Sequence, residues 1–176
     1  MIDFSRNHFE LFGLPPRFRF DTAVLDRAYR ELQSEVHPDR FATSSDAERR
    51  AALQSSARVN EAYRALKDPV LRAQYLLSLR GVDALAETDT SLPIEFLEQQ
   101  LERREDASRA FAAGDAAGVE QVLAAVRTEY AELETRVAAV IDIDAASEDA
   151  RMRVRELKFL SKLADDIDSM LGELDA

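Results

Sequence analysis

His37, Pro38 and Asp39 set an imidazole and a carboxylate on either side of a proline, in a short polar break between two amphipathic stretches at about 21–36 and 46–67. As an acid–base pair, His37 and Asp39 would need a nucleophile, a metal set or a glycine-rich phosphate loop beside them, and the chain carries no such pattern. It has no cysteine, which excludes disulfides, thiolate nucleophiles and cysteine-held metal, and its two histidines, His8 and His37, lie far apart. The expectation is a protein that is not an enzyme, with no catalytic residues, no metal and no cofactor. The alternative chemistry is recognition. Pro38 restricts the backbone, so that little entropy remains to be lost on docking, and Asp39 is suited to accept a charge-assisted hydrogen bond from an arginine on a partner. The plain competing reading is a helix stop followed by an ordinary turn.

Helices must position this tripeptide. Asn7 caps a short helix over residues 7–13 that stops at Gly13, before Leu14-Pro15-Pro16. Asp21 caps a second helix with its apolar residues at Leu25, Ala28, Tyr29, Leu32 and Val36, and Pro38 ends it. A polar loop through Ser45 leads to a third helix from about Asp46, with Ala52, Ser56, Val59, Ala62, Tyr63 and Leu66 inward and Asp68-Pro69 closing it. Two long helices so joined pack most simply as an antiparallel hairpin with the tripeptide at its free tip. Pro69 opens a fourth helix that runs to Arg80-Gly81.

Residues 82–92 read as a linker. From Pro93 there is no strand signal: 94–113, 116–141 and 147–174 each read as one helix, broken at Gly114-Asp115 and at Asp142-Ile143-Asp144. The middle helix has a seam at Val119, Val122, Val126, Tyr130, Leu133, Val137 and Val140. The last has one at Leu157, Leu160, Ala164, Ile167, Leu171 and Leu174. The fold class is all-α, an antiparallel hairpin with short helices followed by a three-helix bundle.

The net charge of -11 falls unevenly, with 13 Lys plus Arg against 11 Asp plus Glu in residues 1–81 and 10 against 23 in residues 82–176. The acidic half would repel phosphate, so no nucleic-acid partner is expected. No apolar run approaches the roughly 18–20 residues of a membrane span. The opening residues lack a signal peptide's basic-then-apolar layout, so the expectation is a cytoplasmic protein with no membrane partner.

Phe9-Glu-Leu-Phe-Gly-Leu-Pro15, the His37-Pro38-Asp39 loop, Val59-Asn60-Glu61-Ala62-Tyr63 and Leu66-Lys67-Asp68-Pro69 together resemble a J-domain. The extension Arg72-Ala73-Gln74-Tyr75-Leu76-Leu77-Ser78-Leu79-Arg80-Gly81 narrows the resemblance to the HscB family of iron-sulfur-cluster co-chaperones, whose J-domain is likewise followed by an acidic helical bundle. The implied domains are a J-domain over 1–81, a linker over 82–92 and a scaffold-binding three-helix bundle over 93–176.

The resemblance implies that the J-domain stimulates ATP hydrolysis by a DnaK-type chaperone, HscA, through His37, Pro38 and Asp39 together with the basic residues Arg27, Arg30 and Arg40. It implies that the bundle delivers the iron-sulfur scaffold IscU, through segments that match locally at 96–105 and 158–160. Leu97, Leu101, Arg104 and Glu105 follow i, i+4, i+7, i+8 on one helical face; Glu102 and, on the last helix, Phe159 complete the candidate set. Glu98 stands where an apolar residue is expected and Arg109 where an acid is expected. Against this stand a core role for Leu97, Leu101 and Phe159, and a J-domain co-chaperone serving a different client.

Overall fold

The structure, a computed structural model, describes residues 2–41, 43–83, 91–144 and 147–174. Among the described residues it is all-α, with no strand, and the chain divides into two compact units, Met1–Leu76 and Leu77–Ala176. Most of the expected linker, residues 84–90, lies outside the described residues.

In the first unit, α1 (His8–Leu11) opens with a capping box: Asn7 Oδ1 accepts from the Glu10 N–H at 3.0 Å, and Glu10 Oε2 accepts from the Asn7 N–H at 2.9 Å. It closes at Gly13, whose φ of 64° lets the Leu14 N–H turn back to the Phe9 carbonyl at 2.9 Å. α1 is shorter than the 7–13 expectation because that glycine turn takes over its last residues. α2 (Thr22–Val36) is capped by Asp21, which accepts from the Ala23 N–H at 2.9 Å. α3 (Asp46–Lys67) starts from a second capping box, Ser45 with Glu48. Its C-cap, Asp68, also accepts from the Leu71 N–H at 2.8 Å and so opens α4 (Pro69–Ser78), with Pro69 at the first position, where a missing N–H has no consequence.

Phe9, Phe18, Leu25, Val59, Ala62 and Leu66 are fully or almost fully buried and form the first unit's core. Each large apolar side chain so placed contributes about 1.5–3 kcal/mol. α2 packs on α3 as expected, and α1 on α3. The inward faces differ in detail. On α2 only Leu25 and Val36 are buried, while Ala28, Tyr29 and Leu32 are half-buried; on α3 it is Ser55, not Ser56, that lies in the core.

Arg72 is 5% exposed. Its Nε donates to the Leu66 carbonyl at 2.9 Å and its Nη1 to the Phe18 carbonyl at 2.7 Å, while the guanidinium lies 4.9 Å from the Phe18 ring centre and 4.8 Å from that of Phe20. One side chain thus ties the last turn of α3 to the 14–20 segment.

The second unit is a three-helix bundle of α5 (Ile94–Ala112), α6 (Ala116–Asp144) and α7 (Glu148–Leu174), each packed on the other two. Gly114, at φ 69°, makes the turn between α5 and α6. Residues 142–144, expected to break the helix, continue α6. Short polar residues are only weak breakers when no proline or glycine accompanies them. The seam of α6 is Val119, Leu123, Val126, Leu133, Val137, Ala138 and Ile141, with Val122, Tyr130 and Val140 half-buried beside it. α7 buries Val154, Leu157, Leu160, Leu163 and Ile167, leaving Ala164, Leu171 and Leu174 at its margin. Val122, Tyr130, Val140, Ala164, Leu171 and Leu174 lie beside the core positions and share their apolar character, so spacing alone does not separate the two sets.

Candidate functional site

α2 ends at Val36, and His37, with φ -59° and ψ 128°, turns the chain out of the helix because the residue before a proline is excluded from helical geometry. Pro38–Phe41 then forms a single 3-10 turn where a polar loop was expected. The Asp39 N–H donates to His37 Nδ1 at 3.3 Å. The imidazole is half-exposed, so its Nε2 edge is open to a partner. The Asp39 carboxylate is 90% exposed, and its Oδ2 lies 3.6 Å from His37 Nδ1.

The tip is held by polar rungs between α2 and α3. Lys67 Nζ donates to both oxygens of Asp26 at 2.7 and 2.8 Å, and the Tyr63 hydroxyl donates to Asp26 at 3.0 Å. The Lys67 ammonium holds the Asp26 carboxyl below its usual range, with the Tyr63 hydroxyl adding to the effect. One turn further on, Asn60 Oδ1 accepts from the Tyr29 hydroxyl at 2.9 Å and from Gln33 Nε2 at 2.7 Å, while the Tyr29 and Tyr63 rings stack at 4.0 Å. Nearest the tip, Ser56 Oγ donates to Gln33 Oε1 at 3.3 Å. Sequence reasoning missed this ladder, although its signal is there: Asp26, Tyr29 and Gln33 at i, i+3, i+7 face Ser56, Asn60, Tyr63 and Lys67 at i, i+4, i+7, i+11.

Arg27 and Arg30 are exposed on α2, Arg27 about 160° around the helix from buried Leu25. Arg40 is also exposed, but its Nη1 turns back to donate to the Ser34 carbonyl at 3.1 Å, placing a cation on the open last turn of α2.

On the bundle, Leu97 is 39% exposed, Leu101 58% and Phe159 36%. They share a neighbourhood because the Phe96 and Phe159 rings meet edge to face at 5.7 Å, bridging α5 and α7. Ile94, absent from the sequence-based set, is 70% exposed and extends the same α5 face at i, i+3, i+7 with Leu97 and Leu101. Glu102 and Glu105 are exposed, and Arg104 stands 4.0 Å from Asp166 of α7. Beneath them Gln100, 1% exposed, donates from Nε2 to Glu129 of α6 at 3.3 Å, and Arg103 pairs with the same carboxylate. This arrangement keeps α5 in place while its apolar residues face outward. Plain core burial does not describe Leu97, Leu101 or Phe159, and large exposed apolar groups rimmed by charge suit a protein partner.

Among the described residues no group of three or more histidines and carboxylates is placed to hold a metal ion, and no helix is long and apolar enough to cross a membrane.

Comparison with known proteins follows the same division. A family model described as "DnaJ domain" matches residues 7–75, and one described as "HSCB C-terminal oligomerisation domain" matches residues 92–168. The chain is 47% identical over 174 residues to the "Co-chaperone protein HscB homolog" of Ralstonia nicotianae, covering 97% of each chain. It is 43% identical over 175 residues to that of Burkholderia multivorans, covering 99% of each. Among solved structures, chaperone HscB from Vibrio cholerae superposes with a TM-score of 0.85 at 34% identity, over 96% of this chain and 99% of that one. Human co-chaperone protein HscB superposes with a TM-score of 0.87 at 29% identity, over 95% and 83%.

Proposed function

The chain belongs to the HscB family of J-domain co-chaperones, and on that premise we propose that it docks its His37-Pro38-Asp39 turn on the DnaK-type chaperone HscA while its bundle presents the iron-sulfur scaffold IscU. The domains are then a J-domain over 1–81, a linker over 82–92 and a scaffold-binding bundle over 93–176, working in the cytoplasm. ATP is hydrolysed by the partner, and this chain contributes no catalytic group.

The observation that carries the reading is an almost fully exposed Asp39 carboxylate at the tip of two helices locked together by hydrogen bonds. Asp39 gives an arginine of the ATPase an acceptor for a charge-assisted bond, and the half-exposed His37 imidazole gives a second directional contact. Because Pro38 and the ladder hold the tip in place, docking loses little conformational freedom. Arg27, Arg30 and Arg40 supply a positive flank that draws in an acidic surface and chiefly speeds encounter. On the bundle, Leu97, Leu101 and Phe159 form the apolar anchor for the scaffold, with Glu102, Arg104 and Glu105 as its charged rim.

The test is steady-state ATP turnover by HscA with IscU present, comparing this protein with Asp39→Asn. Loss of one charge-assisted bond, about 1.5–3 kcal/mol, lowers docking affinity by about tenfold to a hundredfold. Asp39 has its carboxylate in solvent, so the variant should fold with an unchanged circular dichroism spectrum. Stimulation equal to wild type would refute docking through the turn. A co-chaperone of the same kind with a different client predicts stimulation without IscU binding to the bundle, which a direct titration of IscU distinguishes.

A further inference from the structure

Beside the tripeptide the first unit holds a cleft of about 360 Å³, within the lower range of ligand-sized cavities. Val36 and Phe41, the residues that bracket the turn, form part of its wall together with Ala52 of α3. Its charged lining is one-sided: Asp3, Glu35 and Glu48 against Arg6, the one cation among its described residues. Asp3 is engaged by Ser5 and by Arg6 at 3.8 Å, and Glu48 by Ser45. Glu35 has no hydrogen-bond or ionic partner among the described residues.

Apolar walls with a free carboxylate match a side chain that has an aliphatic stem and a cationic head. Val36 and Phe41 flank the turn in sequence, so the cleft they wall lies close to the surface a partner at Asp39 would cover. We propose that this cleft receives a lysine or arginine side chain of the same DnaK-type chaperone that docks on the turn, an inference that rests on the docking reading above. The chaperone therefore meets two opposite electrostatic surfaces: the arginines of α2 on one flank of the tip and an acidic, apolar-walled socket on the other. Glu35, which dilutes the basic helix when α2 is read alone, belongs to the second surface.

The test uses the full chain and the ATPase assay, reading the co-chaperone concentration at half-maximal stimulation and its dependence on salt. Glu35→Lys should raise that concentration about tenfold while leaving maximal stimulation unchanged, with Glu35→Gln intermediate. Ala51→Leu, which narrows the cleft without altering charge, should raise it about threefold with the salt dependence retained. Circular dichroism confirms that each variant is folded. If Glu35→Lys weakens docking and Ala51→Leu does not, rim charge alone matters and the socket is overturned. If neither has an effect while Asp39→Asn abolishes stimulation, the socket is overturned and the docking turn stands. Normal stimulation by Asp39→Asn would remove both. A change in sedimentation velocity of this protein alone on Glu35→Lys would assign the cleft to a second copy of the chain and overturn the proposal as well.

Discussion

Replacing Arg72 by methionine keeps an unbranched side chain in place and removes the guanidinium. The structure sets the scale of the loss. Two short charge-assisted hydrogen bonds go, to the Leu66 and Phe18 carbonyls, and so do the contacts with the Phe18 and Phe20 rings. Charge-assisted bonds contribute about 1.5–3 kcal/mol each and do not add in full, so a net cost of about 3–5 kcal/mol is expected. That is a large part of the roughly 5–15 kcal/mol that holds a domain folded. With a urea dependence of about 1–3 kcal/mol per molar, the midpoint should fall by about 1–5 M. Tyr29, Tyr63 and Tyr75, three of the four tyrosines, lie in Met1–Leu76, so near-ultraviolet circular dichroism follows that unit in the intact chain. Arg72→Lys should recover less than half the loss, because an ammonium cannot reach both carbonyls and stack on two rings at once. A methionine variant whose midpoint stays within about 0.3 M of wild type, or a lysine variant equal to it, would refute the argument.

His8 is 5% exposed, its ring stacks on Tyr75 at 4.0 Å and its Nδ1 has no hydrogen-bond partner among the described residues, so burial, with Arg58 adding to it, pushes its pKa below the ordinary value. The unfolded chain therefore binds the proton more readily: stability is complete above the ordinary histidine range near about 6.5 and falls as pH drops below it. Urea midpoints between pH 7.5 and 5 should show that slope, and His8→Phe should flatten it. Asn60→Leu leaves the Tyr29 hydroxyl and Gln33 amide without their shared acceptor and should cost about 1–2 kcal/mol in the same urea assay. Leu101→Ala, at a 58% exposed position, should change stability by less than about 0.5 kcal/mol yet weaken IscU binding about tenfold by isothermal titration.

The helices of the first unit were legible because several of their ends are written in capping and stop chemistry: Asn7, Asp21 and Asp68-Pro69 each sit at a helix terminus. The tripeptide was legible as a tip for the same reason, since Pro38 must end a helix. What the sequence hid was the choice among near-equivalent neighbours. Ser55 and Ser56 differ by about 100° on α3, and a small rotation decides which enters the core. Val122 and Leu123 pose the same ambiguity on α6, where apolar residues on two adjacent positions leave the seam underdetermined. Arg72 was invisible as a core residue because a buried guanidinium depends on carbonyls and rings supplied by distant segments. Around the bundle face, the helical spacing of Leu97 and Leu101 placed them together, whereas the approach of α7, through the Phe96–Phe159 rings and the Arg104–Asp166 pair, is a tertiary contact that spacing within one helix does not encode.

The rungs between α2 and α3 also constrain how such a hairpin can be altered. Donors and acceptors alternate between the helices: Asp26 accepts from α3, Tyr29 donates to it, and Gln33 does both. An apolar seam tolerates mixing of halves, since any leucine fills space for any other, whereas a directional ladder does not. Replacing α2 by a helix that lacks matching groups at 26, 29 and 33 would leave Ser56, Asn60, Tyr63 or Lys67 without a counterpart, so the two helices form a single exchangeable cassette.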